Sequence, residues 1–411
     1  MSRSLDLEIV AESSSEATFL WRLRDGAAVG AQHDADTLAA LDERIEANLD
    51  GVRIAGATGL DVAAKGLDPD EPGSVFALAL LAIEQGDTAR RDEALDLAEA
   101  SASAARGAVT ALAFLSFDAG RDTLRALLAP QASAARRRIG LAACAAHRRD
   151  PGEALSYAIV DADARLRARA LRAVGEFGRA VLLGELSREL GAEDPDVRFW
   201  AAWSATLLGD SGGASALLAI AERPGPHAER AASVAIRKVE AREARRRIED
   251  AGAIPELARA AVVAAGALGD PALVPWLLAR AEEDALARLA AESIARITGV
   301  GIEGPLAGSP KRDGGPSDDP RDDRVAMDPD DALPWPDVGA LAAWWRLREG
   351  QLARGARYLR GTPVSADAAE REIAAGNQPR RASAAIELAI QRPGRALAEV
   401  RARGGRAVLP R

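Results

Sequence analysis

One segment shows the pattern on which the whole chain is built: Asp194-Pro195-Asp196-Val197-Arg198-Phe199-Trp200-Ala201-Ala202-Trp203-Ser204-Ala205-Thr206-Leu207-Leu208-Gly209-Asp210. Its ends have the residue types of helix boundaries, an aspartate and a proline at the start and a glycine at the stop. Small and apolar side chains recur at helical spacing along one face: Val197, Ala201, Ser204, Ala205 and Leu208. The segment therefore predicts a helix that a neighbouring helix can approach closely. A lone helix of this length is unstable in water, so it needs such neighbours.

The neighbours come from a repeat that runs through most of the chain. Arginines near the starts of similar alanine-rich helices recur every 29 to 32 residues: Arg106, Arg137, Arg167, Arg198, Arg230, Arg259 and Arg288. Residues that end such helices keep a similar interval: Gly120, Asp150, Gly178, Gly209, Glu240, Gly269 and Gly299. A period near 30 residues, with two helices in each unit, is typical of an α-solenoid.

Three aspartates precede repeated arginines at one shared spacing: Asp163, Asp194 and Asp284 each lie four residues before an arginine. This spacing predicts ion pairs that run from repeat to repeat. Because exposed pairs of this kind contribute only about 0–1 kcal/mol each, we expect helix packing to dominate stability.

The repeat motif Asp-x-x-Val-Arg-x-x-Ala-Ala, followed by Leu-Gly-Asp, resembles the HEAT-repeat family in its short bacterial form. The resemblance implies stacked helix pairs in which the helix with the Val-Arg pair lines the concave side. Longer motifs resemble one bacterial family of HEAT-repeat proteins that has no assigned activity: residues 19–21, 41–51, 200–203, 333–337, 344–345, 357–363 and 378–390. Some of its members are encoded near type VI secretion clusters, which implies a scaffold or accessory role.

The chain is predicted to be all-α, with a solenoid of HEAT-like helix pairs at residues 74–300. Residues 1–73 do not follow the repeat and are expected to form an N-terminal helical cap. Residues 301–336 are rich in glycine, proline and aspartate, so we expect a flexible linker there. Helical signals resume in a C-terminal module at residues 337–394, and we expect the arginine-rich tail at 395–411 to be loosely held.

Charge and composition narrow the possible classes of function. Lys and Arg number 53 against 62 Asp and Glu, and this net charge of −9 argues against bulk binding of nucleic acid or anionic membranes. The single cysteine, Cys144, lies on a small-residue helix face and is expected to be a buried, inert thiol. The N-terminus lacks the apolar core of a signal peptide, and no run of about 18 apolar residues occurs. We therefore expect a cytoplasmic protein without a membrane span.

No catalytic or cofactor-binding constellation is recognisable in the sequence. The histidines, His33, His147 and His227, lack cysteine or acidic partners at metal-ligand spacing. The fingerprints of phosphate-binding loops and of the nucleophilic serine turn do not occur either. We therefore expect no enzymatic activity, no metal and no cofactor.

Aromatic residues are the best candidates for a binding site. Trp200, Trp203 and Leu207 lie at i, i+3 and i+7, away from the packing stripe of their helix, and Phe199 adjoins them. Together with Trp344 of the C-terminal module, they are predicted to contact a protein or peptide, since tryptophan is common in interface hot spots. The alternative interpretation is structural: an adjacent helix or the C-terminal module covers this face.

Basic runs leave a second function open. Arginine is concentrated at residues 136–138, 147–149 and 237–247, where a helix face could bind phosphates. A solvated helix face is the more common use of such charges. We therefore predict a scaffold or adaptor that binds a protein on its concave face, with nucleic-acid binding as the alternative.

Overall fold

Helices are the dominant secondary structure in the computed structural model, which describes residues 7–309, 328–405 and 407. Within these residues the extended structure comprises a short antiparallel pair, strand β1 at Tyr358–Leu359 and strand β2 at Thr362–Pro363, an isolated bridge between Ala307 and Pro336, and a single bridge residue at Glu399. The predicted all-α class is confirmed. The chain divides into two compact units, which are described separately below.

Unit 1 comprises Met1–Ser204, Ile373–Ala385 and Pro393–Arg411. Its helices are α1 Leu7–Ala27, α2 Ala35–Ile54, α3 Gly56–Lys65, α4 Pro72–Gln85, α5 Thr88–Ala100, α6 Ala102–Phe114, α7 Arg121–Leu127, α8 Ala134–Ala146, α9 Glu153–Ala158, α10 Ala164–Phe177, α11 Leu183–Glu189 and the first part of α12 Pro195–Leu207, with a 3₁₀ turn at Ala180–Leu182. Helices α4, α6, α8 and α10 pack in a row, and α5, α7 and α9 cover α6, α8 and α10 as a second layer. The layers follow from alternate helices of the repeat burying their apolar faces on each other.

Unit 2 comprises Ala205–Glu372 and Ile386–Arg392. Its helices are the end of α12, α13 Ser211–Ala221, α14 Ala228–Ala235, α15 Ala241–Gly252, α16 Ala258–Leu268, α17 Val274–Arg280, α18 Ala287–Thr298 and α19 Val338–Arg346. Its 3₁₀ turns are Ile236–Lys238, Pro255–Leu257, Pro271–Leu273, Gly304–Leu306 and Glu349–Gln351. Helices α20 Ala366–Ala375 and α21 Gln378–Gln391 contribute residues to both units. Helices α14, α16 and α18 repeat the row seen in unit 1.

The helix boundaries follow the residue types that the sequence suggested. Asp163 Oδ1 accepts a hydrogen bond of 2.8 Å from Leu166 N, and Asp194 Oδ1 accepts one of 3.0 Å from Val197 N. At the C-terminal ends four of the predicted stops adopt left-handed backbone, with φ between 69° and 92°: Gly178, Gly209, Gly269 and Gly299. Glycine is favoured there because it has no Cβ to strain.

The predicted ladder of aspartate–arginine pairs is wrong at all three positions. Asp163 and Asp194 turn their carboxylates toward backbone N–H groups of their own helices. Arg198 donates to the carbonyl of Glu193 at 3.2 Å, and Arg288 pairs with Asp328 instead of Asp284. The arginines therefore use other acceptors than the aspartates four residues before them.

Small residues bring neighbouring helices together, as the stripe on α12 predicted. Ser204 of α12 donates a hydrogen bond of 2.7 Å to the carbonyl of Leu171 on α10. A Cβ at Gly175 would lie 2.6 Å from Ser204 Oγ and 2.9 Å from its Cα, so only glycine fits this crossing. In unit 2 the same device recurs between α16 and α18, where Gly266 faces Ser293.

The predicted linker at 301–336 is ordered wherever the structure describes it. Asp330 is 5% exposed and places Oδ2 2.7 Å from Nη1 of Arg259 in unit 2. Backbone hydrogen bonds of 2.8 Å from Gly308 N to the Trp335 carbonyl and from Asp337 N to the Leu306 carbonyl join the two ends. The prediction of a flexible linker is therefore wrong for these ends, because aspartates there find arginine partners. Residues 310–327 lie outside the described residues.

The structure also differs from the prediction for the C-terminal module and the tail. Residues 337–372 and 386–392 belong to unit 2, whereas residues 373–385 and 393–411 belong to unit 1, so 337–394 is not a module of its own. In the tail, Ala398, Glu399 and Val400 are each 5% exposed, which contradicts a loosely held segment. Packing against distant residues, which sequence periodicity does not reveal, fixes this part of the chain.

Candidate functional site

The predicted aromatic site is mostly buried. Phe199 is 0% exposed, Trp203 4% and Leu207 2%. We expected these side chains to line an exposed face, and that expectation is wrong. Residues with so little exposed surface cannot make first contact with a partner in this conformation. The structural interpretation of the i, i+3, i+7 pattern is the one that the burial supports.

Trp200 and Trp344 retain some exposed surface. Trp200 is half-buried in unit 1, packs edge-on against Trp203 with 5.4 Å between ring centroids, and has the guanidinium of Arg172 4.5 Å from its ring centroid. Trp344 is half-buried in unit 2, where Arg348 lies 4.8 Å from its ring centroid. Each tryptophan therefore combines an apolar ring with an adjacent cation.

The main concave feature of unit 1 is a cavity of about 730 Å³, which we call the arginine groove. It is lined by one face each of α6, α8 and α10, by the end of α1, and by residues 399 and 401–403. Three acidic side chains, Asp25, Glu176 and Glu399, line it together with eight arginines, so positive charge exceeds negative charge by five: Arg24, Arg106, Arg138, Arg148, Arg169, Arg172, Arg401 and Arg403. This excess contrasts with the net charge of −9 for the whole chain.

The repeat itself places the arginines in the groove. Arg106, Arg138 and Arg169 occupy successive row helices α6, α8 and α10, at intervals of 32 and 31 residues. The periodic arginines of the sequence pattern coincide with this set only at Arg106. Sequence analysis included Arg138 in the basic run 136–138 without connecting it with Arg106, and it missed Arg169, which lies two positions beyond the periodic Arg167. Following helical phase as well as the repeat interval would have linked the three arginines.

Three of the groove arginines are neutralised by nearby acids. Arg24 Nε lies 2.7 Å from Oδ1 of Asp42, with both side chains buried. Arg403 Nη2 lies 2.9 Å from a carboxylate oxygen of Glu46, and Arg106 pairs with Asp25. The excess positive charge is therefore concentrated on the α8 and α10 side of the groove.

Two buried carboxylates are held among the remaining arginines. Glu176 accepts hydrogen bonds from Arg169 Nη2 at 2.6 Å and from Arg172 Nε at 2.8 Å. Glu399 lies 3.2 Å from Arg148 Nη2 and accepts a 2.9 Å hydrogen bond from the backbone N–H of Arg401.

The charges of these arginines determine the protonation state of both carboxylates. Burial alone would raise the pKa of Glu176, but the charges of Arg169, Arg172 and Arg148 outweigh it and hold the pKa below its usual range. Burial would also raise the pKa of Glu399, but the charges of Arg401 and Arg148 outweigh burial, so this pKa is lowered as well. Both groups are therefore ionised at neutral pH.

Hydrogen-bond donors remain unused in the groove. Among the described residues, half-buried Arg138 has no hydrogen-bond or ion-pair partner. Nη1 of Arg169 is buried and likewise donates to no acceptor within that part of the chain, although Nη2 of the same guanidinium holds Glu176. Unsatisfied charged donors are unfavourable, so Arg138, which keeps exposed surface, is suited to an incoming anion.

One wall of the groove is formed by residues 393–405, which we call the C-terminal segment. It crosses the ends of the row helices: Leu397 N donates to the Glu176 carbonyl on α10 at 3.0 Å, and Arg403 Nη1 donates to the Phe114 carbonyl on α6 at 3.1 Å. Further along, Gly404 N donates to Asp42 Oδ2 on α2 at 2.8 Å. The first two hydrogen bonds satisfy carbonyls that helix ends leave without partners.

Comparison with known proteins identifies the repeat. The family model described as HEAT repeats matches residues 152–237, which include α10 with its three groove residues. Residues 152–237 are therefore similar to HEAT repeats. A search of curated proteins finds no match to this sequence.

The basic run that follows the matched HEAT repeats is largely neutralised. Arg245 pairs with Asp270, Arg246 with Glu243, and Arg247 with Glu222 and Glu243. These partners support a structural role for the residues that the nucleic-acid alternative relied on.

The described part of the chain gives few signs of metal, thiol or membrane chemistry. No three His, Cys, Asp or Glu side chains among residues 7–309, 328–405 and 407 are grouped to hold a metal. Burial raises the pKa of Cys144 to about 12, so this thiol stays protonated at neutral pH and is inert, as predicted. None of the described helices has the length and hydropathy needed to cross a bilayer.

Proposed function

We propose that this HEAT-repeat protein is a non-enzymatic scaffold or adaptor that binds a partner protein in the arginine groove. The observation that carries this proposal is the cavity of about 730 Å³ along three consecutive row helices of unit 1. HEAT repeats generally mediate interactions between proteins, and an extended face made of stacked repeats suits a long partner segment. The resemblance to the bacterial family adds an accessory role in a secretion system as a hypothesis.

The aromatic candidates keep a secondary place in this proposal. Arg172 both lines the groove and covers the ring of Trp200, so a partner that fills the groove would reach the exposed edge of that ring. Trp344 remains a candidate contact within unit 2. Phe199, Trp203 and Leu207 support the helix that carries Trp200 instead of binding directly.

A protein partner fits the groove better than a nucleic acid does. Glu176 and Glu399 are charged and interrupt the positive charge of the cavity, so a backbone with a phosphate at every nucleotide would be repelled at both, whereas a peptide can present a single carboxylate to the arginines between them. The arginines of the 237–247 run that pair with carboxylates are no longer available as a phosphate-binding stripe.

The proposal is tested by cross-linking from inside the groove. A photoreactive amino acid at Thr110, which lines the groove, is compared with one at Ile54, an 83% exposed residue of the same unit. We expect a protein of the native cell to be captured from Thr110 but not from Ile54. Capture should be lost when Arg138→Glu is added and retained with Arg165→Glu, which reverses the same charge outside the groove.

Mass spectrometry of the cross-linked products identifies the partner. Identical products from both positions, or capture that survives Arg138→Glu, would contradict binding in the groove. Circular dichroism of each variant checks that the helices are retained.

A further inference from the structure

The chain itself shows how the arginine groove accommodates a carboxylate. Glu399 belongs to a segment without helical structure, yet its side chain is only 7% exposed because Arg148 and Arg401 surround it. The segment reaches this position through hydrogen bonds of its own backbone to the helix ends. An extended peptide with an acidic side chain is therefore already bound at one wall.

In the α8 and α10 part of the groove Glu176 occupies Arg169 Nη2 and Arg172 Nε, but it leaves the donors of Arg138 unused. Arg138 on α8 is unpartnered among the described residues, and Nη1 of Arg169 on α10 is buried without an acceptor. Between them the helix faces carry small side chains, including Ala142 and Ala145, which leave room for a backbone. Space, positive charge and unused donors thus coincide at one place.

We propose that the partner segment is acidic and inserts a carboxylate here, at Arg138. This inference rests on the proposed scaffold function and names the chemistry of its partner. Guanidinium groups bind carboxylates through paired N–H donors, which gives orientation as well as charge complementarity.

The test measures binding of defined peptides to the full chain by fluorescence polarisation. The probe is a short labelled peptide that alternates glutamate with serine, and its control replaces every glutamate with glutamine. We expect the glutamate peptide to bind and the glutamine peptide not to bind. Arg138→Gln should weaken binding by at least about tenfold, the loss typical of one charge-assisted hydrogen bond, whereas Arg165→Gln should leave it unchanged.

Several outcomes would overturn the inference. Equal binding of the two peptides would exclude recognition of carboxylates, and insensitivity to Arg138→Gln would place the site elsewhere. Preferential binding of single-stranded oligothymidylate that is lost in Arg138→Gln would assign the groove to nucleic acid. A phosphoserine peptide that outcompetes the glutamate peptide would assign it to phosphoprotein.

The two proposals fail separately. A protein that cross-links at Thr110 through a neutral segment would overturn the acidic motif and leave the scaffold function intact. Binding of the glutamate peptide with no protein cross-linked in the native cell would overturn the scaffold function alone.

Discussion

At the scale of single residues, arginines of this chain differ in whether they depend on a carboxylate partner. Glu387 in unit 2 is 4% exposed and lies 2.6 Å from Arg357 Nη2 and 3.5 Å from Arg237 Nη1. Burial outweighs the attraction for Arg237 and lowers its pKa to about 10. This arginine therefore depends on Glu387, whereas Arg138 in the groove depends on no described partner.

Removing the shared carboxylate should be strongly destabilising. We expect Glu387→Gln to lower the free energy of unfolding by about 3–5 kcal/mol, because it leaves buried guanidinium charge without its counter-ion. The matched control is Glu349→Gln, since Glu349 pairs with Arg354 at 3.4 Å at an exposed site and should contribute about 0–1 kcal/mol. Urea denaturation of the two variants measures the difference. Equal losses would contradict the assignment of Glu387 as a buried counter-ion.

The sequence drew attention to individual residues, but it did not show how they are assembled into the candidate site. It drew attention to Trp200 and Trp203, but helical spacing alone does not show whether a second apolar face of a helix is exposed or covered by a neighbour. Arg138 and Arg169 are ordinary members of an arginine-rich sequence until α8 and α10 are packed side by side. The charge excess of the groove is a property of that packing.

At the scale of helices, crossings of α10 with α12 and of α16 with α18 depend on one glycine facing one serine. Gly175 meets Ser204 and Gly266 meets Ser293, and in each case the serine donates to a backbone carbonyl of the facing helix. The period and the small-residue stripe predicted this close approach from sequence, because both patterns are local in the chain.

A methyl group at the α10–α12 crossing should force the helices apart. We expect Gly175→Ala to lower the free energy of unfolding by about 1–3 kcal/mol, as overpacking does, despite the higher helix propensity of alanine. Gly184→Ala in α11 is the matched control, because a Cβ there meets nothing within 4 Å. That variant should gain about 0.5–1 kcal/mol. Thermal and urea melts decide, and a stabilised Gly175→Ala protein would refute the close crossing.

At the scale of the whole molecule, both units contain buried carboxylates that arginines keep ionised. Burial would raise the pKa of Glu176 and Glu399 in unit 1 and of Glu387 in unit 2, but nearby arginines lower all three. A carboxylate whose pKa is lower in the folded state stabilises the fold above its unfolded pKa. That contribution disappears as the pH falls through the lowered value.

Stability should therefore fall on the acid side. We expect the free energy of unfolding to decrease steadily once the pH drops below the ordinary glutamate value of 4.5. Glu176→Gln should be less stable than the parent at neutral pH, and this difference should shrink as the pH falls. Urea melts across the pH range measure both trends. A stability that does not change below that pH would contradict the ionised state of these groups.

The division into two units could not be predicted from the repeat. Periodicity describes contacts between neighbouring repeats, whereas Arg148 and Leu397, which share a hydrogen bond, are 249 positions apart. The sequence of the C-terminal segment contains no apolar period that would indicate where it binds. Its glycines and arginines are held by carbonyls and carboxylates of residues that are distant in the sequence.

The C-terminal segment also sets the order in which the protein can be completed during synthesis. Arg24 donates a hydrogen bond to the carbonyl of Arg401, 377 positions later in the chain. Translation at about 5–20 residues per second needs about 20–75 s to make that stretch. Once residue 177 has left the ribosome, α1 to α10 are outside it while the arginine groove still lacks its wall. The first unit to emerge is therefore the last to acquire all its hydrogen bonds.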